Sequence, residues 1–444
     1  MDQPELGGHS RKTVPRLEYP HTYETFLQDH LIPNVPCIFP SSLTSTWPCF
    51  HTFLTSDSSS AASTTKTIDR AYLLSLQGSE PISVHRPLTA VELAEEEGEE
   101  EDGDETSDPT ERTICEQTGL ANVLDAWARG EGQGLYIKDW HLALEAESRY
   151  GGRPLEDIAS SSSSRPGDRF YTTPGVFEDD WLNGYYRSRL GNDFRFVYLG
   201  ASKTTTLLHR DVYSSYSFST NVLGRKRWDL YPPSHSPFLR RDPSGSRSEL
   251  LRDVRKVDRS KFTMWDQAEQ AGLTVIQEEG ETIFVPSGWY HQVENLSTGE
   301  GTGSQILSIN HNWGNATNVR QMYDCLCSDL DACAESIADV KDILQLKATR
   351  DGQDEASWMA DWVNEIQELC ERDAGWAWRD FWNMVHWGVQ DACSVPDRAN
   401  RPPLEYVRTQ VSGCVQAYNR RWEASYLSEV CAVVGLIEVA LSAV

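Results

Sequence analysis

The sequence predicts an α+β protein with a β-rich middle, a mixed N-terminal region and a helical C-terminal region. Between Phe194 and Trp313, short apolar runs alternate with turn residues, which is typical of strands. After Asn315 the apolar residues recur at helical spacing. Shorter helical and strand patterns precede the β-rich part. We therefore predict a flanking region over 1–130, a central region over 131–318 and a helical region over 319–444.

The elements follow from local patterns along the chain. Apolar spacing and end signals predict helices at Thr22–Leu31, Asp69–Leu76, Thr118–Gly130, Asp354–Arg372, Ala377–Cys393 and Leu404–Leu427. A further helix is predicted to be capped by Asn315 and to run to about Asp342. Alternating or continuous apolar runs predict strands at Cys37–Phe39, Gly134–Trp140, Phe194–Leu199, Thr274–Ile276, Glu281–Val285, His291–Asn295 and Gln305–Ile309. Polar composition predicts loops at Thr55–Thr65 and Ser160–Gly167, and a charged insert lies between Tyr231 and Leu273.

Charge restricts the classes of partner. The formal net charge is −27, and residues 92–105 alone hold ten acidic and no basic residues, so we expect a solvated, disordered loop near 89–112. A docking segment for a basic partner is the alternative. Phosphate binding needs a basic surface, so the composition argues against a nucleic-acid partner.

Cysteine usage and hydropathy indicate the compartment. The ten cysteines include no C-x-x-C pair, so we expect free thiols rather than a zinc ribbon. The N-terminus has no signal-peptide core, and the last apolar stretch is too short and interrupted by Glu438 to span a bilayer. We expect a protein of the cytosol or nucleus with no membrane partner. The C-terminal tryptophans predict a helical core, with a dimerisation or docking surface as the alternative.

The strongest functional signal is a split motif. His209 and Asp211 are two residues apart, so on a strand both side chains point to one face. A second histidine, His291, follows Pro286–Trp289, where proline and glycine predict a tight turn. Two imidazoles and one carboxylate form the facial triad of non-haem Fe(II) oxygenases, which leaves sites open for a 2-oxo acid and O2. The pair H-x-D is common by chance, so the context has to support it.

A lysine supplies part of that context. Lys226 lies in a strand-like run with apolar neighbours, which predicts that its side chain enters the interior. A buried lysine needs an anion, and the distal carboxylate of 2-oxoglutarate would supply one. The competing interpretation is a core histidine, a surface aspartate and a solvated lysine.

Together these residues resemble the JmjC (jumonji C) 2-oxoglutarate oxygenases through the motifs His209-x-Asp211, Lys226 and P-x-G-W-Y-His291. Further similar segments are 31–37, 135–141, 180–183, 196–200, 221–228 and 308–313. The resemblance covers roughly residues 20 to 320. It implies a JmjC/cupin-type double-stranded β-helix, a jelly-roll barrel, as the catalytic domain, with N-terminal α/β elements and the C-terminal helices added to it.

The resemblance also implies a task for each candidate residue. Fe(II) would be bound by His209, Asp211 and His291. The 5-carboxylate of 2-oxoglutarate would be bound by Lys226 and Thr206, with Tyr136 reaching the same end.

Three more residues resemble the cosubstrate pocket less closely. Ser219 stands seven residues before Lys226, where some relatives carry an asparagine that contacts the cosubstrate. Asn310 and Asn312 share one strand face and resemble pocket-lining residues, although strand-end capping would explain them equally well.

The activity implied by the resemblance is hydroxylation of a protein lysine at C-4, with the eukaryotic translation release factor as the substrate and O2 and 2-oxoglutarate consumed. Two alternatives stay open. One is N-methyl-lysine demethylation, for example of histones, although no reader or zinc module is visible. The other is a non-catalytic barrel that binds a protein partner. The sequence does not determine the oligomeric state.

Overall fold

The structure is a computed structural model of the chain, and it describes residues 12–19, 21–57, 65–89, 92, 113–149, 170–245, 248–296, 305–395 and 399–443. The predicted Ser160–Gly167 loop lies outside these residues, and so does the acidic run apart from Glu92.

Fourteen strands occur in the described part of the chain. They are numbered β1 to β14 in chain order: Cys37–Phe39, Leu54–Asp57, Thr65–Ile68, Pro81–Pro87, Thr113–Gly119, Tyr136–Trp140, Arg195–Ala201, Thr205–Arg210, Tyr216–Leu223, Arg225–Tyr231, Leu273–Gln277, Thr282–Val285, Tyr290–Leu296 and Gln305–Trp313. An eight-stranded sheet has the order β1-β12-β9-β14-β7-β6-β4-β5, and a four-stranded sheet has the order β11-β10-β13-β8. The pair β2 and β3 forms a separate hairpin.

The two main sheets face each other across an apolar interior. Ile283 and Val285 of the large sheet pack in one cluster with Trp228, Leu230 and Val293 of the small sheet. All named strand pairs are antiparallel. This arrangement confirms the predicted α+β jelly-roll barrel. The large sheet contains strands that precede residue 130 and strands that follow it. The sheet therefore does not mark a boundary at 130/131, and that boundary stays a prediction.

Both outer faces of the barrel are covered. Strand alternation turns Tyr216 and Phe218 of β9 away from the barrel interior and into a cluster with N-terminal residues such as Phe26 and Phe39. On the small sheet, Leu208 and Tyr231 face outward and pack against the charged insert. That insert contains a 3₁₀ segment, Pro233–Leu239, and the helix Trp265–Ala271.

Thirteen α-helices occur in the described residues. They are α1 to α13 in chain order: Tyr23–Phe26, Cys49–Thr52, Arg70–Gln77, Leu120–Ala128, Leu142–Arg149, Trp181–Leu190, Trp265–Ala271, Val319–Ser336, Ala338–Asp351, Glu355–Ala374, Trp378–Ser394, Leu404–Tyr418 and Ser428–Ser442. A π-helical turn at Leu27–Leu31 extends α1, and further short 3₁₀ segments are Ser41–Leu43, Gly175–Phe177, Val212–Ser214 and Trp422–Tyr426.

The C-terminal helices bury their tryptophans in a second core. Five tryptophans in this region are buried in the single chain: Trp358, Trp362, Trp376, Trp378 and Trp382. Helix α6 packs into the same cluster, so the helical region is joined to the barrel through continuous apolar packing. The prediction of an aromatic helical core is confirmed for these five side chains, whereas Trp422 is 47% exposed. All ten cysteines are free, as expected.

Three local predictions were wrong, and a fourth failed at its ends. The predicted loop at Thr55–Thr65 is extended at residues 55–57 and at Thr65, which belong to the paired strands β2 and β3, and its residues 58–64 lie outside the described part of the chain. Asn315 does not cap the next helix: α8 begins at Val319, and the Asn315 side chain accepts the Thr317 N–H instead. The helix expected to reach about Asp342 breaks at Ile337, and the one expected to reach Leu427 ends at Tyr418.

No helix among the described residues is long and apolar enough to cross a bilayer.

Replacing Trp378 with alanine should destabilise the protein strongly. The side chain is fully buried, and its indole N–H donates to Glu423 Oε1 at 3.2 Å. Removing such an aromatic residue costs about 3–5 kcal/mol, which chemical denaturation would measure. Trp422→Ala is the matched control and should change the unfolding free energy by less than about 0.5 kcal/mol. Equal effects of the two substitutions would contradict the packing described here.

Candidate metal centre

Three ligand-type side chains converge at one end of the small sheet. His209 near the end of β8 pairs directly with His291 of β13, and the centroids of their rings are 4.2 Å apart. Asp211 follows β8 immediately. One potential ligand atom from each of the three residues lies within 4.8 Å of the others, and no other described His, Cys, Asp and Glu side chains form such a group. The predicted constellation is therefore assembled by the fold.

A β-bulge brings Thr206 to the same face as His209. On a regular strand, residues three apart point to opposite faces. Here Thr206 pairs with Val293 while His209 pairs with His291, so three steps on β8 match two steps on β13. The extra residue restores a common face for both side chains.

Hydrogen bonds orient the two imidazoles. The Nδ1 atom of His209 lies 2.8 Å from the Leu207 carbonyl oxygen, and Nδ1 of His291 lies 3.3 Å from the Trp289 carbonyl oxygen. When each Nδ1–H donates to its carbonyl, each Nε2 keeps a free lone pair for a metal. Burial, followed by the nearby His209, lowers the pKa of His291 to about 4, which favours the neutral ring that a metal requires.

The candidate carboxylate ligand, Asp211, is also held by a residue of another strand. The Ser217 hydroxyl donates to Asp211 Oδ2 at 2.7 Å. Ser217 lies on β9 of the opposite sheet, so this bond joins the two sheets of the barrel next to the candidate ligands. Such outer contacts restrict a ligand's orientation before any metal binds.

The turn before His291 is held by the N-terminal region. Gly288 has a φ of +74°, a conformation that glycine adopts without strain. Asn34 Nδ2 donates to the Ser287 carbonyl at 2.8 Å, and the Ser287 N–H donates back to Asn34 Oδ1 at 3.0 Å. The Trp289 indole N–H donates to the Asn34 carbonyl at 2.9 Å. The predicted tight turn is present, and these three bonds hold it in place.

Lys226 enters the barrel interior as predicted. Its side chain is 2% exposed, its Nζ donates to Ser308 Oγ at 2.6 Å, and it lies 5.4 Å from the centre of the Tyr198 ring. No described carboxylate forms an ion pair with it. Burial lowers the pKa of Lys226 to about 7, because the charged form is poorly solvated there. The surroundings of Lys226 therefore favour an anionic ligand, which would restore the charged form.

Two further predicted residues join Lys226 in one hydrogen-bonded group. Asn310 Oδ1 accepts from Ser219 Oγ at 2.9 Å and from Ser308 Oγ at 3.0 Å. Asn312 does not join this group, because its side chain donates to Ser215 Oγ at 3.1 Å. It still shares the inward face of β14 with Asn310, opposite Ser217 on β9.

Tyr136 meets Thr206 beside this group. The Thr206 hydroxyl lies 3.4 Å from the Tyr136 hydroxyl, and burial raises the pKa of Tyr136 to about 12, so the phenol stays protonated and can donate. Asn295 pairs with Lys226 across β13 and β10, so it faces the same interior. Eight of the nine predicted site residues thus lie in two neighbouring groups, and Asn312 lies on the inward face of the large sheet outside both groups.

Sequence reasoning missed three residues of the site. Ser217 and Ser308 each lie two positions before a predicted residue, Ser219 and Asn310, and Asn295 lies four after His291. Strand alternation places each of them on the same face as the residue that was predicted. That period was the signal that could have found them.

The comparisons agree with this fold. The family described as Cupin-like domain matches residues 23–318. The chain therefore belongs to the cupin-like domain family, which confirms the architecture implied by the motifs.

The names of individual similar proteins are more specific than the family description. The protein named 2-oxoglutarate and iron-dependent oxygenase JMJD4 is 30% identical in Gallus gallus, over 82% of this chain and 71% of the relative. In Danio rerio the protein of that name is 31% identical, over 72% of this chain and 65% of the relative. Arginine-specific demethylase JMJ20 of Arabidopsis thaliana is 37% identical over 47% of this chain and 42% of the relative.

Substitution of any one ligand by alanine should abolish turnover. His209→Ala, Asp211→Ala and His291→Ala each leave two of the three candidate ligands, and two ligands hold a divalent metal poorly. Succinate formation from 2-oxoglutarate and metal content after dialysis would both be measured. Near-normal activity in any of the three variants would overturn the metal assignment.

Lys226→Ala should sharply raise the concentration of 2-oxoglutarate that is needed. Losing one partner of a buried charge pair costs about 3–5 kcal/mol, or two orders of magnitude or more in affinity. The wild-type affinity should be full below about pH 7 and fall as the pH rises through the pKa of Lys226, which is about 7. Cosubstrate titrations at several pH values would test this. An unchanged affinity in the variant would show that Lys226 does not contact the cosubstrate.

Proposed function

We propose that the chain is an Fe(II)- and 2-oxoglutarate-dependent dioxygenase that hydroxylates a protein side chain. The observation that carries the proposal is the convergence of His209, Asp211 and His291 in the same barrel interior as Lys226, a buried cation without an acidic partner among the described residues. Two imidazoles and a carboxylate fit Fe(II), and a buried ammonium group fits a dicarboxylate cosubstrate.

The site residues form two groups inside the barrel. We call the group that would bind iron the metal end, and the group around Lys226 that would bind the 5-carboxylate of 2-oxoglutarate the carboxylate end. His209, Asp211 and His291 would bind iron. Lys226 pairs across the small sheet with Asn295 of β13. Asn295 lies four residues after His291, so the two positions are about 13 Å apart along the strand. A five-carbon diacid and the long lysine side chain together suit that separation.

The other polar residues would complete the carboxylate end. Thr206 and Tyr136 would offer hydroxyl groups to the same carboxylate. Asn310 Oδ1 accepts from the Ser308 hydroxyl that contacts Lys226, and also from the Ser219 hydroxyl. When bound, iron and 2-oxoglutarate supply the oxidation: one atom of O2 enters a substrate C–H bond as hydroxyl, and the other enters succinate as CO2 leaves. Lys226, Tyr136 and Ser308 are buried in the barrel, so bulk water is excluded from this part of the site.

For the substrate, we favour an unmethylated lysine hydroxylated at C-4 in the eukaryotic translation release factor. The support is the resemblance of segments 135–141 and 221–313 to the lysyl-hydroxylase subgroup of the JmjC oxygenases. A substrate of the translation machinery places the enzyme in the cytoplasm, with the nucleus as a second compartment. The acidity of the chain suits any basic peptide and therefore does not discriminate.

Demethylation of an N-methyl group is the second candidate. The Arabidopsis thaliana relative is named an arginine-specific demethylase, and a Caenorhabditis briggsae relative, 29% identical over 34% of this chain, is named a bifunctional arginine demethylase and lysyl-hydroxylase. These names extend the alternative from methyl-lysine to methyl-arginine. A non-catalytic scaffold is disfavoured, because all three candidate ligands and Lys226 are present together.

The reaction class can be separated by mass spectrometry. Release factor incubated with the protein, Fe(II) and 2-oxoglutarate should gain one oxygen on a lysine side chain, because hydroxylation of a side-chain carbon gives a stable alcohol. His209→Ala protein is the matched control and should leave the substrate unmodified.

Methylated lysine and arginine peptides serve as competing substrates in the same assay. Hydroxylation of an N-methyl group gives an unstable hemiaminal that releases formaldehyde. Formaldehyde coupled to succinate, without any hydroxylated lysine, would reject the lysyl-hydroxylase proposal in favour of demethylation.

A further inference from the structure

The backbone directly after the candidate ligand Asp211 is strained. Tyr213 and Ser214 both have left-handed backbone angles, with φ of +58° and +50°. Two consecutive residues with side chains rarely adopt this conformation, which persists only where the surrounding structure holds it. The loop that carries one metal ligand is therefore held by contacts outside itself.

The C-terminal helical region provides two of these contacts. The Tyr213 hydroxyl donates to the Gly375 carbonyl at 2.8 Å. The Tyr213 ring lies 4.2 Å from the Trp376 ring, with 30° between the ring planes. Gly375 has a φ of +78°, and a Cβ atom added there would lie 2.9 Å from the Tyr213 hydroxyl. The tyrosine thus fits closely against the turn between α10 and α11.

The same loop is tied to the second ligand-bearing segment. The Ser214 carbonyl accepts a hydrogen bond from the Ser287 hydroxyl, in the turn before His291, and one at 3.5 Å from Asn318 Nδ2. A displacement of the loop would therefore reach both Asp211 and the approach to His291.

Gly375 and Trp376 lie beyond the cupin-like match, which ends at residue 318. We propose that Tyr213 is a positioning residue through which the C-terminal helical region holds Asp211 in its metal-binding orientation. The helical region is then a working part of the metal centre. This inference rests on the proposed metal site.

A purely structural role for Tyr213 makes a different prediction. Loss of an ordinary core contact lowers the stability of the metal-free protein and leaves the geometry of the folded ligand set unchanged. Loss of a positioning contact changes the affinity of the folded protein for metal. Metal affinity therefore separates the two roles.

The experiment compares Tyr213→Phe with a matched Tyr216→Phe control. Both substitutions remove one buried hydroxyl that donates to a backbone carbonyl, since Tyr216 donates to the Leu31 carbonyl at 3.3 Å. Tyr216 points away from the barrel interior. Co(II) binding to the metal-free full-length proteins would be titrated by visible absorption, and the melting temperature of each metal-free protein would be recorded.

We expect Tyr213→Phe to bind Co(II) about tenfold more weakly than the wild type, at the lower end of the usual effect of outer contacts on metal affinity. Tyr216→Phe should bind Co(II) as the wild type does. Equal Co(II) affinity in Tyr213→Phe and the wild type would overturn the inference, whatever happens to the melting temperature. If Tyr213→Phe does not fold, Trp376→Phe is judged by the same criterion.

A third arm separates this inference from the proposed function. His209→Ala should lose Co(II) binding at the site. If it retains wild-type binding, the metal assignment itself fails. If it loses binding while Tyr213→Phe does not differ from the wild type, only the role of Tyr213 fails.

Discussion

The pairing of β8 with β13 is the constraint on which the rest of the site depends. It places His209 directly opposite His291, although the two residues are 82 positions apart in the chain. The bulge in β8 then turns Thr206 to the same face, so the metal end and the carboxylate end share one interior. A one-residue change of register would reverse the faces and separate the ligands. The large sheet faces this pair across the barrel interior, and the charged insert covers its outer side.

Burial of Lys226 places a basic group in the polar part of the barrel interior. The lysine lies among hydroxyl and amide groups, with the Ser308 hydroxyl as its hydrogen-bond acceptor and the Tyr198 ring beneath its ammonium group. These groups solvate the cation weakly, which is why its pKa falls to about 7. A dicarboxylate would restore the charged form, so the strength of binding and the protonation of the lysine are linked.

Both ligand-bearing loops are braced by chain segments far from them in sequence. Asn34, in the N-terminal region, holds the turn before His291 through three hydrogen bonds. Gly375 and Trp376, in the helical region, hold Tyr213 after Asp211. Metal sites need ligands fixed before binding, since an ordering cost at each ligand would reduce the affinity. The flanking regions therefore contribute to the site as well as to stability.

The sequence by itself determined the class of fold, about half of the strands and helices of the described residues, and the candidate ligand set, because these follow from local periodicity and from motifs such as His209-x-Asp211. It could not determine how the two motif halves meet, because strand pairing depends on the whole sheet. The sequence also predicted wrongly that Asn315 caps a helix. In the structure the Asn315 side chain accepts a hydrogen bond from the Thr317 N–H instead. The bulge beside Thr206 and the strained backbone at Tyr213 likewise depend on tertiary contacts. Such contacts can override the local conformational preference of a residue where their free energy exceeds the cost of the unfavourable conformation.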